Sequence, residues 1–200
     1  MNRIKYSIVI LLFSLQHALL IAQFDNPSFE RIDADLGLPN CIIEDAIEDH
    51  FGFLWFATCE GLFRYDGYEF KAYRHNVKDS TSLSDPYVRS LFEDKEGNLW
   101  VGTARGLNLL DRRTGTFQRF KPNPEDTKGK LDNHVWEILE DSRGDLLISA
   151  NRGMLRFDRE KKQFFKMLIK DETKKNHYIR ACIEDQNNVV WGGTSQGLLK

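Results

Sequence analysis

The sequence has few cysteines, and their arrangement excludes two common ways of stabilising a small domain. Cys41, Cys59 and Cys182 are an odd number and lie far apart, so a dense disulfide framework is not expected. No Cys-x-x-Cys or His-x-His pattern is present, which argues against a zinc site. We interpret the three cysteines as small, mostly buried residues in strands or tight loops.

The chain also lacks a strong charge of one sign. It contains 28 Lys and Arg against 30 Asp and Glu, which gives a formal net charge of -2. Nucleic-acid-binding domains usually present a basic face, and no basic cluster with interleaved aromatic residues occurs here. We therefore expect the chain to make no contact with nucleic acid.

Motifs for catalysis and for cofactors are absent as well. The sequence has no Ser-His-Asp order, phosphate-binding loop or EF-hand spacing, and Asp141-Ser-Arg-Gly-Asp145 has too few carboxylates for calcium. The histidines fall in different units, mostly in predicted loops where they should be solvated: His50, His75, His134 and His177. These absences predict a protein that is not an enzyme and that holds no cofactor and no metal.

The N-terminus carries a long apolar run. Arg3 and Lys5 precede an apolar stretch at residues 8–15, which Ser14 alone interrupts, and small residues then lead to Gln23. This stretch is shorter than the roughly 20 apolar residues that span a bilayer, and the pattern is typical of a secretory signal. We predict a signal peptide at residues 1–22, with a buried first helix or a retained membrane anchor as alternatives.

The strongest positive feature is an internal repeat. Four aspartates begin equivalent segments and are separated by 45, 47 and 44 residues: Asp49, Asp94, Asp141 and Asp185. Each copy has a turn Gly or Asn at offset +3, Trp or Leu at +6 and a second Gly at +12. These positions hold Gly52, Trp55, Gly61; Gly97, Trp100, Gly106; Gly144, Leu147, Gly153; and Asn188, Trp191, Gly197. A register this constant indicates four equivalent structural units.

Each unit has the pattern of four short strands. An alternating apolar stretch precedes the acidic pair, as at residues 88–92, and alternation with period two predicts a strand. Asp-x-x-Gly predicts a tight hairpin, because the Asp side chain accepts backbone N–H bonds and Gly adopts a positive φ. Stacking such sheets around an axis would bury their faces. We therefore expect each Trp, and the Leu or Met after the second Gly, to pack between adjacent sheets.

The repeat predicts an all-β fold, a β-propeller of four-stranded antiparallel blades. The blade units fall at about 40–73, 87–120, 134–168 and 178–200, within a partial propeller at residues 23–200. Residues 28–32 resemble the fourth strand of a unit and are expected to form an orphan strand ahead of the first blade. Because the fourth unit reaches Lys200 inside its third strand, we expect about three complete blades plus a partial one, in a truncated propeller.

The strand order also predicts a binding face. Loops between the second and third strands of each blade should share a face with the connections between blades, at residues 74–86, 121–133 and 170–177. Polar side chains there can hydrogen-bond sugar hydroxyls or anionic sugar groups. The candidate ligand-binding residues are Glu60, Arg105, Asn151, Arg152 and Gln196. Solvated loop tips are the alternative interpretation.

The repeat resembles the two-component regulator propeller repeats of hybrid two-component sensors. The resemblance rests on Glu-Asp-x-x-Gly-x-Leu-Trp-x-Gly-Thr and the following Gly-Leu-x-x-x-Asp, and it is closest at residues 93–111. It covers residues 24–200, but the third copy departs from the pattern at Leu147 and Ala150. That departure weakens the packing signature of the third blade.

The resemblance implies the N-terminal fragment of a sensor whose propeller lies in the periplasm. The parent protein would be anchored in the inner membrane by its own helix, would carry a histidine kinase and a DNA-binding output domain, and would form a homodimer. The resemblance implies an oligosaccharide or other small ligand. The alternatives are an exported protein-interaction scaffold and a propeller lyase or hydrolase, such as the streptogramin lyases. An enzyme would place histidines and carboxylates from neighbouring blades at one rim, and we expect no such set.

Overall fold

The computed structural model describes residues 37–122, 133–151, 153–167 and 178–200, and all the regular elements there are β-strands. The first blade contains β1 (Ile43–Glu48), β2 (Leu54–Thr58), β3 (Gly61–Tyr65) and β4 (Phe70–Tyr73). The second contains β5 (Val88–Glu93), β6 (Leu99–Thr103), β7 (Gly106–Asp111) and β8 (Thr116–Phe120). The third contains β9 (Val135–Glu140), β10 (Leu146–Ala150), β11 (Gly153–Asp158) and β12 (Gln163–Lys166). The fourth contains β13 (Ile179–Glu184), β14 (Val190–Thr194) and β15 (Gly197–Leu199).

Each sheet is antiparallel, with its strands in the order of the sequence. Three sheets have four strands, and the fourth sheet has three in the described residues. The first strands of successive blades, β1, β5, β9 and β13, contact one another and form an inner wall from which the blades fan out. This arrangement confirms the predicted all-β propeller. The predicted signal peptide at 1–22 and orphan strand at 28–32 lie outside the described residues. No helix in the described part of the chain is long and apolar enough to cross a bilayer.

The repeated aspartate stabilises both the hairpin turn and the tryptophan that follows it. Asp49 Oδ1 accepts hydrogen bonds from the backbone N–H groups of Phe51 and Phe53, each at 3.0 Å, and Gly52 has a φ of 82°. Asp49 Oδ2 accepts the indole N–H of Trp55 at 2.7 Å. The same indole bond measures 2.7 Å in the second blade and 2.9 Å in the fourth. A buried carboxylate and a buried indole N–H thereby satisfy each other.

Two copies depart from the repeat at this hairpin. In the fourth blade Asn188 takes the turn position with a φ of 59°, in the left-handed region where Asn is among the best tolerated residues. In the third blade Leu147 stands where the other copies have Trp, so Asp141 accepts the turn bonds but receives no indole bond at that position. Leu147 instead lines a cleft of about 340 Å³ between the third and fourth blades.

The hydrophobic core lies between the blades. One cluster joins the first and second blades, a second joins the second and third, and a third joins the third and fourth. As predicted, the tryptophan position and the residue after the second Gly contribute to each layer: Trp55 and Leu62, Trp100 and Leu107, and Leu147 and Met154. Trp55 is 1% exposed and Trp100 is 3% exposed, so both are core residues.

A recurring contact closes the loop between the second and third strands. The hydroxyls of Thr58 and Thr103 donate to the carbonyl oxygens of Gly61 and Gly106, each at 2.9 Å. Gly106 has a φ of 139°, and a Cβ there would lie 2.5 Å from the carbonyl oxygen of Phe120. Only glycine fits so close to the fourth strand without a shift in the backbone. The threonine and the glycine therefore fix where the tip of this loop points.

Arginines join neighbouring blades at the rim that carries the Asp hairpins. Arg112 of the second blade lies 2.6 Å from Asp49 of the first blade and 2.5 Å from Glu93 of its own blade. Arg159 of the third blade lies 3.0 Å from Asp94 of the second blade and 3.3 Å from Glu140 of its own. Both arginines hold the same place in the repeat, eighteen residues after the hairpin aspartate of their own blade. Each buried aspartate thus receives a counter-charge from the next blade.

Candidate functional site

The loops between the second and third strands contact the connections between blades. Arg74, just after β4, lies 3.1 Å from Glu60 in the loop after β2. Arg105, in the loop after β6, lies 3.1 Å from Asp85 in the connection between the first two blades. These two kinds of loop therefore share one face of the propeller, which we name the loop face.

The predicted ligand-binding residues have different surroundings on this face. Glu60 and Arg105 are engaged in the ion pairs just described. Asn151 is buried and accepts the indole N–H of Trp136 at 2.6 Å. Gln196 is exposed, while Arg152 lies outside the described residues. A ligand-binding role for these five residues stays a prediction.

A cluster of arginine and aromatic side chains lies where the inner strands begin, at the end of the inner wall that meets the loop face. The sequence did not predict this cluster, because its residues occupy equivalent positions of the repeat but differ in type from blade to blade. The position five residues before the hairpin aspartate is Glu44, Arg89, Trp136 and Arg180 in the four blades. Tyr87 and His134 precede two of these residues along the chain. We name Tyr87, Arg89, His134, Trp136 and Arg180 the inner-strand cluster.

Trp136 lies at the centre of the inner-strand cluster. The guanidinium carbon of Arg89 is 4.1 Å from the centre of the Trp136 ring and 4.4 Å from that of Tyr87. Arg180, from the blade on the other side, is 5.4 Å from the same indole ring. Such cation–π contacts contribute about 0.5–2 kcal/mol each. One indole, held by its bond to Asn151, therefore positions two guanidinium groups from two different blades.

The two arginines of this cluster have no carboxylate partner among the described residues. Arg89 Nε is buried and donates no hydrogen bond there. Of the nearby carboxylates, Asp85 pairs with Arg105, while Glu44 accepts the hydroxyl of Tyr87 within the cluster and keeps its negative charge. Arg89 and Arg180 thus form no ion pair among the described residues, and with Glu44 they leave a net positive charge beside the loop face.

Burial changes the ionisation of two groups near these arginines. Burial lowers the pKa of His134 below its ordinary value of 6.5, and the charge of Arg89 lowers it further, so the ring is neutral at pH 7. Burial raises the pKa of Glu137, although this carboxylate accepts the backbone N–H of Cys182 in the next blade. Asp45 accepts the backbone N–H of Leu91 at 2.8 Å in the same way. These inner-strand carboxylates link one blade to the next.

The structure also brings together a histidine and a carboxylate from neighbouring blades, which the sequence did not lead us to expect. His50 Nδ1 lies 2.6 Å from Glu93 at the rim of the Asp hairpins, and the backbone N–H of His50 donates to the same carboxylate. The backbone N–H groups of Lys95 and Ser142 donate to glutamates of their next blades in the same manner. Because His, Lys and Ser all serve in this position, the contact is a structural link between blades.

Among the remaining described histidines and cysteines, two thiols lie together. A hydrogen bond with Cys41 and partial burial raise the pKa of the Cys59 thiol to about 11, so it is protonated at pH 7. His75 Nδ1 lies 2.6 Å from the carbonyl oxygen of Leu83, so this ring is not simply solvated. Cys182 is buried as expected, but Cys41 and Cys59 are only partly buried, so the prediction of mostly buried cysteines is wrong for those two. In the part of the chain that the structure describes, no three His, Cys, Asp or Glu side chains are grouped as a metal site would require.

Comparison with known proteins finds a match to one segment of the repeat. Residues 82–105 match the family model described as "Two component regulator propeller". Histidine kinase P4 from Formosa agariphila is 40% identical to this chain over 75 residues, which are 38% of this chain and 6% of that protein. The matched segment is thus a small part of that relative.

Solved structures with a similar fold include two bacterial extracellular domains and an enzyme. The extracellular domain assigned to a hybrid two component system from B. thetaiotaomicron has a TM-score of 0.64 at 24% identity, over 84% of this chain and 30% of that one. Another, assigned to a one component system from B. thetaiotaomicron, has a TM-score of 0.70 at 23% identity, over 88% and 24%. Virginiamycin B lyase from Staphylococcus aureus has a TM-score of 0.62 at 14% identity, over 86% and 59%. Since these extracellular domains and a lyase share the fold, the fold by itself does not assign a chemistry.

Proposed function

We propose that this chain is the ligand-detecting module of a two-component sensor and that its ligand is a carbohydrate. The premise is the likeness of its repeats to two-component regulator propeller repeats. The observation that carries this proposal is the inner-strand cluster, where arginine and aromatic side chains from three blades meet beside the loop face. Ligand sites combine aromatic surfaces with a few polar groups that fix the ligand's orientation. Sugars offer both hydroxyl groups and apolar ring faces to such a site.

The proposed location is the periplasm, with the rest of the parent protein crossing the inner membrane. The predicted signal peptide supports export, and the likeness to a histidine kinase supports a parent that transmits a signal. In that parent the propeller would act as a homodimer, as the repeat family implies. Ligand binding would change how blades or subunits pack, because a ligand shifts an equilibrium only through different affinities for two states.

Binding without catalysis is the role that the described residues support. The paired histidine and glutamate at the hairpin rim link blades, as the equivalent Lys and Ser contacts show. His134 is half-buried beside Arg89. A lyase is the weaker candidate, because the structural likeness to virginiamycin B lyase is confined to the fold.

Two measurements test the proposed function. Sequencing the gene beyond codon 200 should show a membrane-spanning segment and a histidine kinase, and a gene without a kinase would refute the sensor role. Isothermal titration calorimetry of the purified chain against a panel of neutral and acidic oligosaccharides should identify a class that binds with one site per chain. Absence of binding to every member of the panel would refute the carbohydrate ligand.

The Trp136→Ala variant provides the site-directed test. We expect it to weaken binding of the oligosaccharide found in the panel at least tenfold, because the indole orients both Arg89 and Arg180. Tyr68→Ala is the matched control, since Tyr68 is 89% exposed in the turn between β3 and β4, away from the loop face. Equal affinities in the two variants would place the carbohydrate site elsewhere.

A further inference from the structure

We infer that Arg89 and Arg180 form an anion clamp, so that the ligand recognised at the inner-strand cluster is an acidic saccharide bearing a carboxylate or a sulfate group. This inference rests on the proposed carbohydrate-sensing function and names the ligand class. Its basis is the juxtaposition of two guanidinium groups from blades two and four on the indole of blade three, with no ionic partner among the described residues.

Other arginines of this chain show what a purely structural arginine looks like here. Arg112 contacts carboxylates of Asp49 and Glu93, and Arg159 contacts those of Asp94 and Glu140. Each of these two arginines therefore bridges two acids at a blade junction. Arg89 lies at a blade junction as well, yet among the described residues it contacts the rings of Tyr87 and Trp136 and forms no ion pair.

The position of the two arginines suits an external anion. Arg180 is exposed, Arg89 is partly exposed, and both stand at the loop-face end of the inner strands. Guanidinium groups bind carboxylate, sulfate and phosphate oxygens in a fork geometry, and ring stacking leaves their in-plane N–H groups free to donate. The clamp thus requires the anionic group to lie at the edge of Trp136, where it accepts from both arginines.

The neighbouring groups neutralise this charge only in part. His134 is neutral at pH 7 and Asp85 is paired with Arg105, whereas Glu44 accepts the neutral hydroxyl of Tyr87 and contributes one negative charge beside two guanidinium groups. The buried Nε of Arg89 lacks an acceptor in the described residues, but so does that of Arg159, so this donor does not itself mark a ligand site. An acidic saccharide is favoured because a charged oxygen is a stronger acceptor for guanidinium N–H groups than the hydroxyl oxygens of a neutral saccharide.

The test uses sodium sulfate as the probe on the complete chain. Binding is followed by tryptophan fluorescence and calorimetry, with sodium chloride at the same ionic strength as the reference. We expect saturable sulfate binding whose dissociation constant rises at least tenfold in the Arg89→Gln/Arg180→Gln double variant. The single Arg180→Gln variant changes an exposed side chain, so it should fold normally and should weaken binding severalfold. Arg113→Gln, an exposed arginine on the β7–β8 turn, is the charge-matched control and should bind sulfate like the wild type.

A second comparison uses two monosaccharides that differ in one acidic group. Galacturonate should compete with sulfate, and galactose should not. The inference is overturned if sulfate binds no better than chloride, if the double variant retains wild-type affinity, or if galacturonate and galactose compete equally. Binding of neutral oligosaccharides without sulfate competition would leave the sensor function standing and refute the clamp. Sulfate binding through both arginines, with no oligosaccharide bound, would support the clamp and refute carbohydrate sensing.

Discussion

At the scale of single residues, the hairpin aspartates of the first two blades have three kinds of partner. Asp94 accepts from backbone N–H groups of its own turn, from the indole of Trp100 at 2.7 Å, and from Arg159 at 3.0 Å. The sequence alone suggests a turn residue, because Asp-x-x-Gly is a known hairpin pattern. The additional partners explain why the aspartate recurs with the tryptophan at a constant offset of six residues.

These aspartates predict how stability depends on pH. Burial raises the pKa of Asp94, but hydrogen bonds from Trp100 and Asn98 and the charge of Arg159 outweigh it and bring the pKa below 3.8. The pKa of Asp49 is lowered likewise. A folded-state pKa below the unfolded value means that the carboxylate contributes its full stability above about pH 4 and loses it as pH falls through the folded value. We therefore expect the free energy of unfolding, measured with urea, to decrease steeply below about pH 4.

The Asp94→Asn variant tests that explanation. It removes one of the two buried hairpin carboxylates but keeps a side chain that can accept the turn bonds. Its stability should be lower than that of the wild type at pH 7, and its decrease in acid should be shallower. An unchanged acid slope would show that other groups control the pH dependence. Glu96→Gln is the control, because Glu96 is mostly exposed and its replacement should leave the slope unchanged.

At the scale of the strands and turns, the arginine after the third strand joins adjacent blades. Arg112 is 23% exposed in its side chain, whereas Asp49 is fully buried there, so the pair is shielded from water on one side. Replacing Arg112 by Met should cost about 3 kcal/mol, because it leaves a buried carboxylate without its counter-charge. Chemical denaturation of the two proteins measures this loss. Arg113→Met replaces the exposed neighbouring arginine, and its free energy of unfolding should stay within about 0.5 kcal/mol of the wild type. A similar loss of stability in both variants would contradict the role of Arg112 in joining the blades.

The strands were predictable from the sequence, but the contacts between blades were not. Period-two alternation before each Asp-x-x-Gly marks the inner strand, and the tryptophan marks the next one. Arg112 and Arg159 occupy equivalent positions, but the first blade has Gly67 there, so the comparison of copies does not reveal their role. Their partners lie one blade earlier, more than sixty residues away in the sequence. Only the stacking of the sheets brings such residues together.

At the scale of the whole molecule, the layers between blades differ in extent. The buried hydrophobic residues number eleven between the first and second blades, eight between the second and third, and four between the third and fourth, as counted in the described residues. Apolar burial is the main favourable term in folding, and local stability varies with it. The fourth blade should therefore open most readily.

Hydrogen exchange monitored by mass spectrometry tests this gradient. We expect the amides of β13–β15 to exchange faster than those of β5–β8, which lie in the two larger layers. The comparison of β9–β12 with β5–β8 serves as an internal control and should show a smaller difference. Equal protection in the fourth and second blades would contradict the gradient.

At this scale, the sequence predicts one part of the candidate site but not the other. The loop face followed from strand order alone, and the contacts of Glu60 with Arg74 and of Arg105 with Asp85 place these loops as expected. The inner-strand cluster did not follow, because Glu44, Arg89, Trp136 and Arg180 look like unrelated residues in the aligned copies. Arg89, Trp136 and Arg180 come together only when the inner strands of three blades stand side by side. The available signal for the cluster was the change of residue type at this one repeat position. A position with a purely structural role would be expected to keep its residue type.

The ion pair between an arginine and the aspartate of the preceding blade has a consequence for how repeats are added to such a propeller. The second and third units each contribute a cation to the preceding unit, and the first and second units offer the aspartate that receives it. A tandem duplication of the whole second unit therefore creates a junction in which donor and acceptor are both already present. A duplication of only part of that unit would separate them. Growth by complete modules is thus favoured by the electrostatics of the junction, independently of what the protein binds.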